Sequence, residues 1–96
     1  MKFMLKWRVH PEKRHDVLKG FSQMDEAADK ADMGDKIKLI GRWHDVASFE
    51  GVAIYESEDA QAMGNWALNW NNVLDLDLSP VLDDEEVREL GKKKFG

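Results

Sequence analysis

The order of strand-like and helix-like segments limits most strongly what this chain can fold into. Residues 2–9 alternate apolar and polar side chains with a period of two, which is typical of a half-buried strand. A stretch with apolar residues at helical spacing follows, then a second strand, and the same strand, helix, strand order repeats once more. The predicted strands are 2–9, 36–44, 49–56 and 73–79, and the predicted helices are 11–31, 58–70 and 83–94.

Two strand-helix-strand units in a row predict a particular sheet. Right-handed crossovers place the third strand between the first and the second, and the fourth strand beside the first. Both crossover helices then cover the same face of the sheet. The chain is therefore predicted to be an α+β protein with a ferredoxin-like βαββαβ antiparallel sheet and helices on one face. At 96 residues it is expected to form a single domain over residues 1–96, with the last helix at 83–94.

The period of two assigns each strand residue to one face of this sheet. The face predicted to lie under the helices carries Phe3, Leu5, Trp7, Ile37, Leu39, Trp43, Leu74, Leu76 and Leu78. The face predicted to lie open carries Met4, Lys6, Arg8, Ile40, Arg42, His44, Val52, Ile54, Asp75 and Asp77.

The open face predicts a homodimer. Lys6 and Arg8 on the first strand are expected to face Asp75 and Asp77 on the fourth, and an apolar strip lies between the charges. The strip consists of Met4, Ile40, Val52 and Ile54. Because an exposed β-branched patch usually marks an interface, we expect two sheets to pack open face to open face. The alternative is a monomer with a half-exposed face.

Several stretches of the chain resemble a known family. They are 2–7 (KFMLKW), 39–44 (LIGRWH), the helix ending at Trp70, and 79–86 (SPVLDDEE). Together they are similar to an uncharacterised family called domain of unknown function 3303. The resemblance implies a dimeric α+β barrel and implies no reaction. The acidic run 25–35 departs from such proteins, which pass more directly from helix to second strand, and it is interpreted as a solvated helix end.

An aromatic set is the first candidate binding site. Four tryptophans in 96 residues is a high count, and each buried indole N–H needs a hydrogen-bond partner. One interpretation is a flat apolar cleft for a small aromatic or lipophilic ligand, and the other is a filled core. The candidate ligand-binding residues are Trp7, Trp43, Tyr55, Trp66 and Trp70.

Arg42 and His44 form the candidate catalytic pair. If a ligand enters the end of the barrel, Arg42 could clamp a carboxylate and His44 could exchange a proton near neutral pH. Alternatively, Arg42 pairs with an acid across the dimer and His44 caps a strand end. Metal chemistry is a further hypothesis, in which His10, His44 and Glu50 meet at one sheet edge and suit zinc or iron.

Charge and hydropathy argue against a nucleic-acid-binding protein and against a membrane-spanning one. The net charge of −5 disfavours binding to a phosphate backbone, and no apolar run approaches the ~18 residues of a membrane span. The chain contains no cysteine, which fits a cytoplasmic protein. We therefore expect a small dimeric binding or accessory protein without a cofactor. The alternatives are a cofactor-independent enzyme, monooxygenase- or isomerase-like, on a small aromatic substrate, and a protein-interaction module.

Overall fold

A single four-stranded antiparallel sheet organises the computed structural model, which describes residues 1–96. The strand order is β2-β3-β1-β4, so the third strand lies between the first two and the fourth lies beside the first. This confirms the predicted α+β, ferredoxin-like topology. The strands are β1 (Lys2–Val9), β2 (Lys38–Asp45), β3 (Glu50–Glu56) and β4 (Leu74–Val81).

Four helices connect and follow these strands. A short 3-10 turn, Pro11–Lys13, precedes the first of them. The last helix agrees with the sequence prediction to within one residue at each end, and Asp83 and Glu86 form the predicted capping box. None of the four helices combines the length and the apolar character needed to cross a bilayer. The helices are α1 (Arg14–Ser22), α2 (Glu26–Met33), α3 (Ala60–Trp70) and α4 (Asp84–Phe95).

The predicted helix over 11–31 is wrong in one respect, because the structure divides it into α1 and α2. The side chain of Asp25 accepts a hydrogen bond of 2.8 Å from the backbone N–H of Ala28. This is an N-cap, and it starts a new helix that the apolar spacing alone does not reveal. The break lets α2 take its own direction, and this helix supplies two carboxylates to the site described below.

Several other element ends differ from the prediction by one or two residues, and two of these differences have a direct cause. The N-cap of α3 is Asp59, which accepts from the N–H of Ala62, and Ser57 instead accepts from the N–H of Asp59. Strand β4 continues through Pro80 rather than stopping before it. Proline is tolerated there because β4 is an edge strand, where a missing N–H breaks no ladder bond on its free side.

A β-bulge interrupts β2. Leu39 pairs with Tyr55 and Gly41 pairs with Ile54, so Ile40 has no partner on β3. An unpaired extra residue changes which face the following side chains occupy, because the side-chain period of a strand is two.

The bulge reverses the predicted faces for the second half of β2. Arg42 pairs with the buried Ala53 and lies on the face covered by helices, and His44 lies on that face too. Trp43 instead lies on the open face, 62% exposed, where its ring covers the position a side chain on Gly41 would need. The prediction that placed Trp43 under the helices and Arg42 and His44 on the open face is therefore wrong.

The core lies between α3 and the middle of the sheet. Tyr55 on β3 and Met63 on α3 are each only 1% exposed. The rings of Tyr55 and Trp66 lie 4.8 Å apart, which ties the helix to the strand. Leu5 and Ala53 complete the contact on β1 and β3. The helix thereby holds one wall of the neighbouring cleft in place.

The opposite sheet face, called the open face below, has no helix over it among α1, α2 and α3. Its register confirms the predicted neighbours, with Lys6 opposite Asp77 and Arg8 opposite Asp75. The ion pairs are different, since Arg8 bonds Glu50 at 2.7 Å and Asp75 bonds His10 at 3.0 Å. Helix α4 has no buried residue, and its side chains Val87, Leu90 and Phe95 are exposed.

Candidate functional site

An open cleft of about 320 Å³ lies between the helices and the sheet. Side chains from all three sheet-covering helices reach it, together with those of the four strands and the β2–β3 loop. Most of the lining is hydrophobic, and the polar groups gather on α2, β2 and β3. The lining residues are Leu5, Trp7, Val9, Val17, Leu18, Phe21, Asp29, Asp32, Arg42, His44, Asp45, Val46, Phe49, Glu50, Tyr55, Trp66, Trp70 and Leu74.

Four of the five predicted ligand-binding aromatics meet in this cleft. Trp7, Tyr55, Trp66 and Trp70 line it, while Trp43 lies on the other side of the sheet for the reason given above. Tyr55 and Trp66 are also core residues, so the two interpretations of the aromatic set are not exclusive. These aromatic rings contact the core on one side and the open space of the cleft on the other.

One carboxylate holds two of the indoles. Asp32 on α2 accepts hydrogen bonds from the Nε1–H of Trp66 at 3.1 Å and of Trp70 at 2.7 Å. Its other carboxylate oxygen accepts from the amide nitrogen of Asn69 at 3.3 Å. The buried indole N–H groups are thereby satisfied, and α2 is fixed against α3.

Arg42 is the only cationic side chain that lines the cleft. Its two terminal nitrogens bond the carboxylate of Asp29 at 2.6 and 3.3 Å, and its guanidinium lies 4.9 Å from the centre of the Phe21 ring. The hydroxyl of Tyr55 lies beside the same guanidinium. Burial raises the pKa of Tyr55, and the charge of Arg42 offsets this only in part, so the phenol is protonated at neutral pH.

His44 lies at the mouth of the cleft. Its ring lies 5.2 Å from that of Trp7 in an edge-to-face arrangement and 5.1 Å from that of Phe21. Removal of water by these rings lowers the pKa of His44 below its ordinary 6.5, and the nearby charge of Arg42 lowers it further. The imidazole is therefore neutral at pH 7 and suited to accept a proton or a hydrogen bond.

Protonation of His44 is expected to destabilise the folded chain. Below about pH 6.5 the unfolded chain binds the His44 proton more readily than the folded chain, so stability falls as the pH falls towards the folded pKa. NMR titration should give His44 a midpoint below 6.5. The loss of urea resistance between about pH 7.5 and about pH 5.5 should be smaller in His44→Gln. A midpoint at or above 6.5, or equal losses in both proteins, would contradict this account of the histidine.

The sequence analysis missed Asp29 and Asp32. The acidic run 25–35 was interpreted as a solvated helix end, and that interpretation is wrong, because both carboxylates face the cleft and are hydrogen-bonded there. The sequence did contain a signal for them, because Asp29 and Asp32 are three residues apart and therefore share one face of a helix. Predicting that this face meets the cleft would have required knowing that a new helix begins after Asp25.

Phe49 carries backbone strain beside the cleft. Its φ angle is 53°, in the left-handed region that a bulky residue rarely adopts. Its carbonyl accepts from the N–H of Val9 at 2.9 Å, which ties the β2–β3 loop to β1. Residues held in such conformations cluster at binding and catalytic sites, where the surrounding structure supports them.

The residues of the metal hypothesis do not meet. His10 bonds Asp75, Glu50 bonds Arg8, and the bulge turns His44 towards the helices. No group of three or more His, Asp or Glu side chains in residues 1–96 is placed to hold a metal ion. The hypothesis is wrong because His10 and Glu50 bond other side chains and the three residues do not form a group.

Comparisons with known proteins assign the chain to a family but give it no activity. No curated protein matches its sequence. Among solved structures it is similar to an uncharacterized NIPSNAP domain protein from Burkholderia xenovorans, with 11% identity, 88% of this chain and 97% of that chain covered, and a TM-score of 0.48. The family described as Domain of unknown function (DUF3303) matches residues 1–95. The chain therefore belongs to the DUF3303 family, as the sequence resemblance predicted.

Proposed function

We propose that this protein binds a small, largely apolar ligand with one or two aromatic rings in the cleft. The observation that carries the proposal is the open volume of about 320 Å³ against a fixed wall of aromatic side chains, with a smaller number of polar groups in the lining. This combination is what small-molecule sites share, and the volume lies at the small end of their range. No cofactor is needed for binding. The lack of cysteine favours the cytoplasm as the place of action.

Calorimetric titration with 1-naphthalenemethanol, a neutral two-ring probe, tests this proposal. Saturable binding is expected. The variant Val17→Phe places a larger side chain in the cleft and should weaken binding about tenfold or more, since the added ring takes the space of the probe. Leu68→Phe, at an exposed position of α3 outside the cleft, should bind as the native protein does. Absence of saturable binding, or equal effects of both variants, would refute the proposal.

The proposed binding protein is a homodimer. The apolar side chains of the open face are Met4, Ile40, Trp43, Val52 and Ile54. The same face carries a basic pair, Lys6 and Arg8 on β1, directly beside an acidic pair on β4. A patch with both signs in adjacent rows complements itself across a twofold axis, where each basic row meets the acidic row of the other copy. A second copy of the chain is therefore the partner that this face fits best.

Sedimentation velocity tests the dimer. We expect the native protein to sediment as a dimer at tens of micromolar, and Ile54→Lys to sediment as a monomer because a charge would lie in the centre of the apolar strip. Leu68→Lys, on the exposed side of α3, should leave the dimer intact. A monomeric native protein would end this part of the proposal.

A cofactor-independent enzyme is the second candidate, and one observation favours it. The imidazole of His44 is neutral at pH 7, lies at the mouth of the cleft and has no hydrogen-bond partner in the chain. It could act as a base towards a ring ketone. Proton NMR of 1-tetralone in heavy water would show faster exchange at the carbon beside the carbonyl with native protein than with His44→Gln. Equal rates would exclude this base.

A further inference from the structure

The charge balance of the cleft restricts what kind of ligand it accepts. Four carboxylates line it, and Arg42 is the one guanidinium. Two of the four have cationic partners, Asp29 with Arg42 and Glu50 with Arg8. A third, Asp45, accepts from the backbone N–H of Ser48 in the loop. The lining as a whole is therefore acidic, although the volume it encloses is apolar.

Arg42 is not free to clamp an anionic ligand. Both of its terminal nitrogens are engaged by Asp29, and the two side chains are only 16% and 18% exposed. A ligand carboxylate that took over the guanidinium would leave Asp29 partly buried without a partner, which is costly. The predicted role of Arg42 as a carboxylate clamp is thus disfavoured by its geometry.

Asp32 and Asp45 are the two carboxylates of the cleft without an ion pair, and of the two only Asp32 is partly buried, whereas Asp45 is exposed. Its three hydrogen-bond partners, the indoles of Trp66 and Trp70 and the amide of Asn69, are neutral donors. They fix the position of the carboxylate without cancelling its charge, and no lysine, arginine or histidine nitrogen of the chain lies within ion-pair distance of it. A charged group held rigidly at the wall of an apolar cleft is prepared for a charged partner.

The aromatic wall suits a cation as well. Ring faces carry the negative part of their quadrupole, so they attract ammonium and guanidinium groups within about 6 Å. Two arginines already lie over rings at the cleft, Arg42 over Phe21 at 4.9 Å and Arg14 over Phe49 at 5.5 Å. Trp7, with Trp66 and Trp70 beside Asp32, offers further aromatic surface.

We infer that the ligand of the cleft is an aromatic amine, bound as its ammonium form beside Asp32, and that the cleft discriminates against carboxylic acids. The inference rests on the proposed function, because it specifies the chemistry of a ligand for the same site. The ring fills the apolar volume against the tryptophans, and the ammonium group takes the place of the missing counter-ion of Asp32.

Three probes with the same ring system test the inference by calorimetry: 1-naphthylmethylamine, 1-naphthalenemethanol and 1-naphthaleneacetate. The amine should bind about tenfold or more tightly than the alcohol, and the acetate more weakly than either. The advantage of the amine over the alcohol should shrink as salt is added. An acetate that binds as tightly as the amine would overturn the inference, as would equal binding of amine and alcohol.

A charge-removing variant keeps the test specific to Asp32. Asp32→Asn retains a carbonyl oxygen that can accept from the indoles, so the fold and the affinity for the alcohol should persist while the advantage of the amine disappears. Asp84→Asn, at an exposed position of α4, should leave all three affinities unchanged. An unchanged amine advantage in Asp32→Asn overturns the inference alone. Failure of all three probes to bind overturns the proposed function with it.

Discussion

Trp66→Ala is expected to lower the free energy of unfolding by about 3–5 kcal/mol. Trp66 is 5% exposed, packs against Tyr55 and donates its indole N–H to Asp32. Truncation leaves a cavity in the core and removes a hydrogen bond that ties α2 to α3. Since small domains are stable by roughly 5–15 kcal/mol, urea unfolding should show a much lower midpoint.

The same helix provides a control for that change. Leu68 is 69% exposed, so Leu68→Ala should alter stability by less than about 0.5 kcal/mol. If Trp66→Ala does not fold, Trp66→Phe keeps an aromatic ring and isolates the loss of the indole group, at about 1–3 kcal/mol. A Trp66→Ala protein as stable as the native chain would contradict the position of this residue in the core.

Gly51→Ala is expected to cost about 1–3 kcal/mol of folding stability and to weaken ligand binding. A methyl group on Gly51 would lie 2.0–2.5 Å from three atoms of the Trp7 ring, far inside van der Waals contact. The indole must therefore move, and because it is part of the cleft wall its displacement changes the shape of the cleft. Urea unfolding measures the first effect and titration with 1-naphthalenemethanol the second.

Gly64→Ala is the matched substitution. No atom lies within 4 Å of the position its methyl group would take, and alanine favours a helix over glycine by roughly 0.5–1 kcal/mol. This variant should be more stable than the native protein and bind the probe normally. If both glycine variants change the free energy of unfolding in the same direction, the Trp7 ring does not pack against Gly51 in the native fold.

The sequence predicted the sheet well because its signals are local and strong. The alternation in β1 and β4 and the capping box of α4 each involve neighbouring residues, and the structure confirms them. The order β2-β3-β1-β4 follows from the handedness of the two crossovers, which physical rules fix without further information.

The candidate site was harder to predict because it depends on two irregularities. Ile40 is an extra residue in β2, and nothing in its side chain marks it as a bulge. It moves Arg42 and His44 into the cleft and takes Trp43 out. The second irregularity is the break at Asp25, which turns α2 so that Asp32 reaches the indoles. Neither changes the fold, but together they decide which side chains share a cavity.

The tryptophans can report where a ligand binds, because three of them line the cleft and the fourth lies outside it and serves as a control. Trp7, Trp66 and Trp70 line the cleft, whereas Trp43 is on the open face across the sheet. Each indole Nε1–H gives its own signal in a nitrogen–proton NMR spectrum. Titration with 1-naphthalenemethanol should shift the signals of the three cleft tryptophans and leave that of Trp43 in place. A shift confined to Trp43, or no shift at all, would contradict a ligand site between the helices and the sheet.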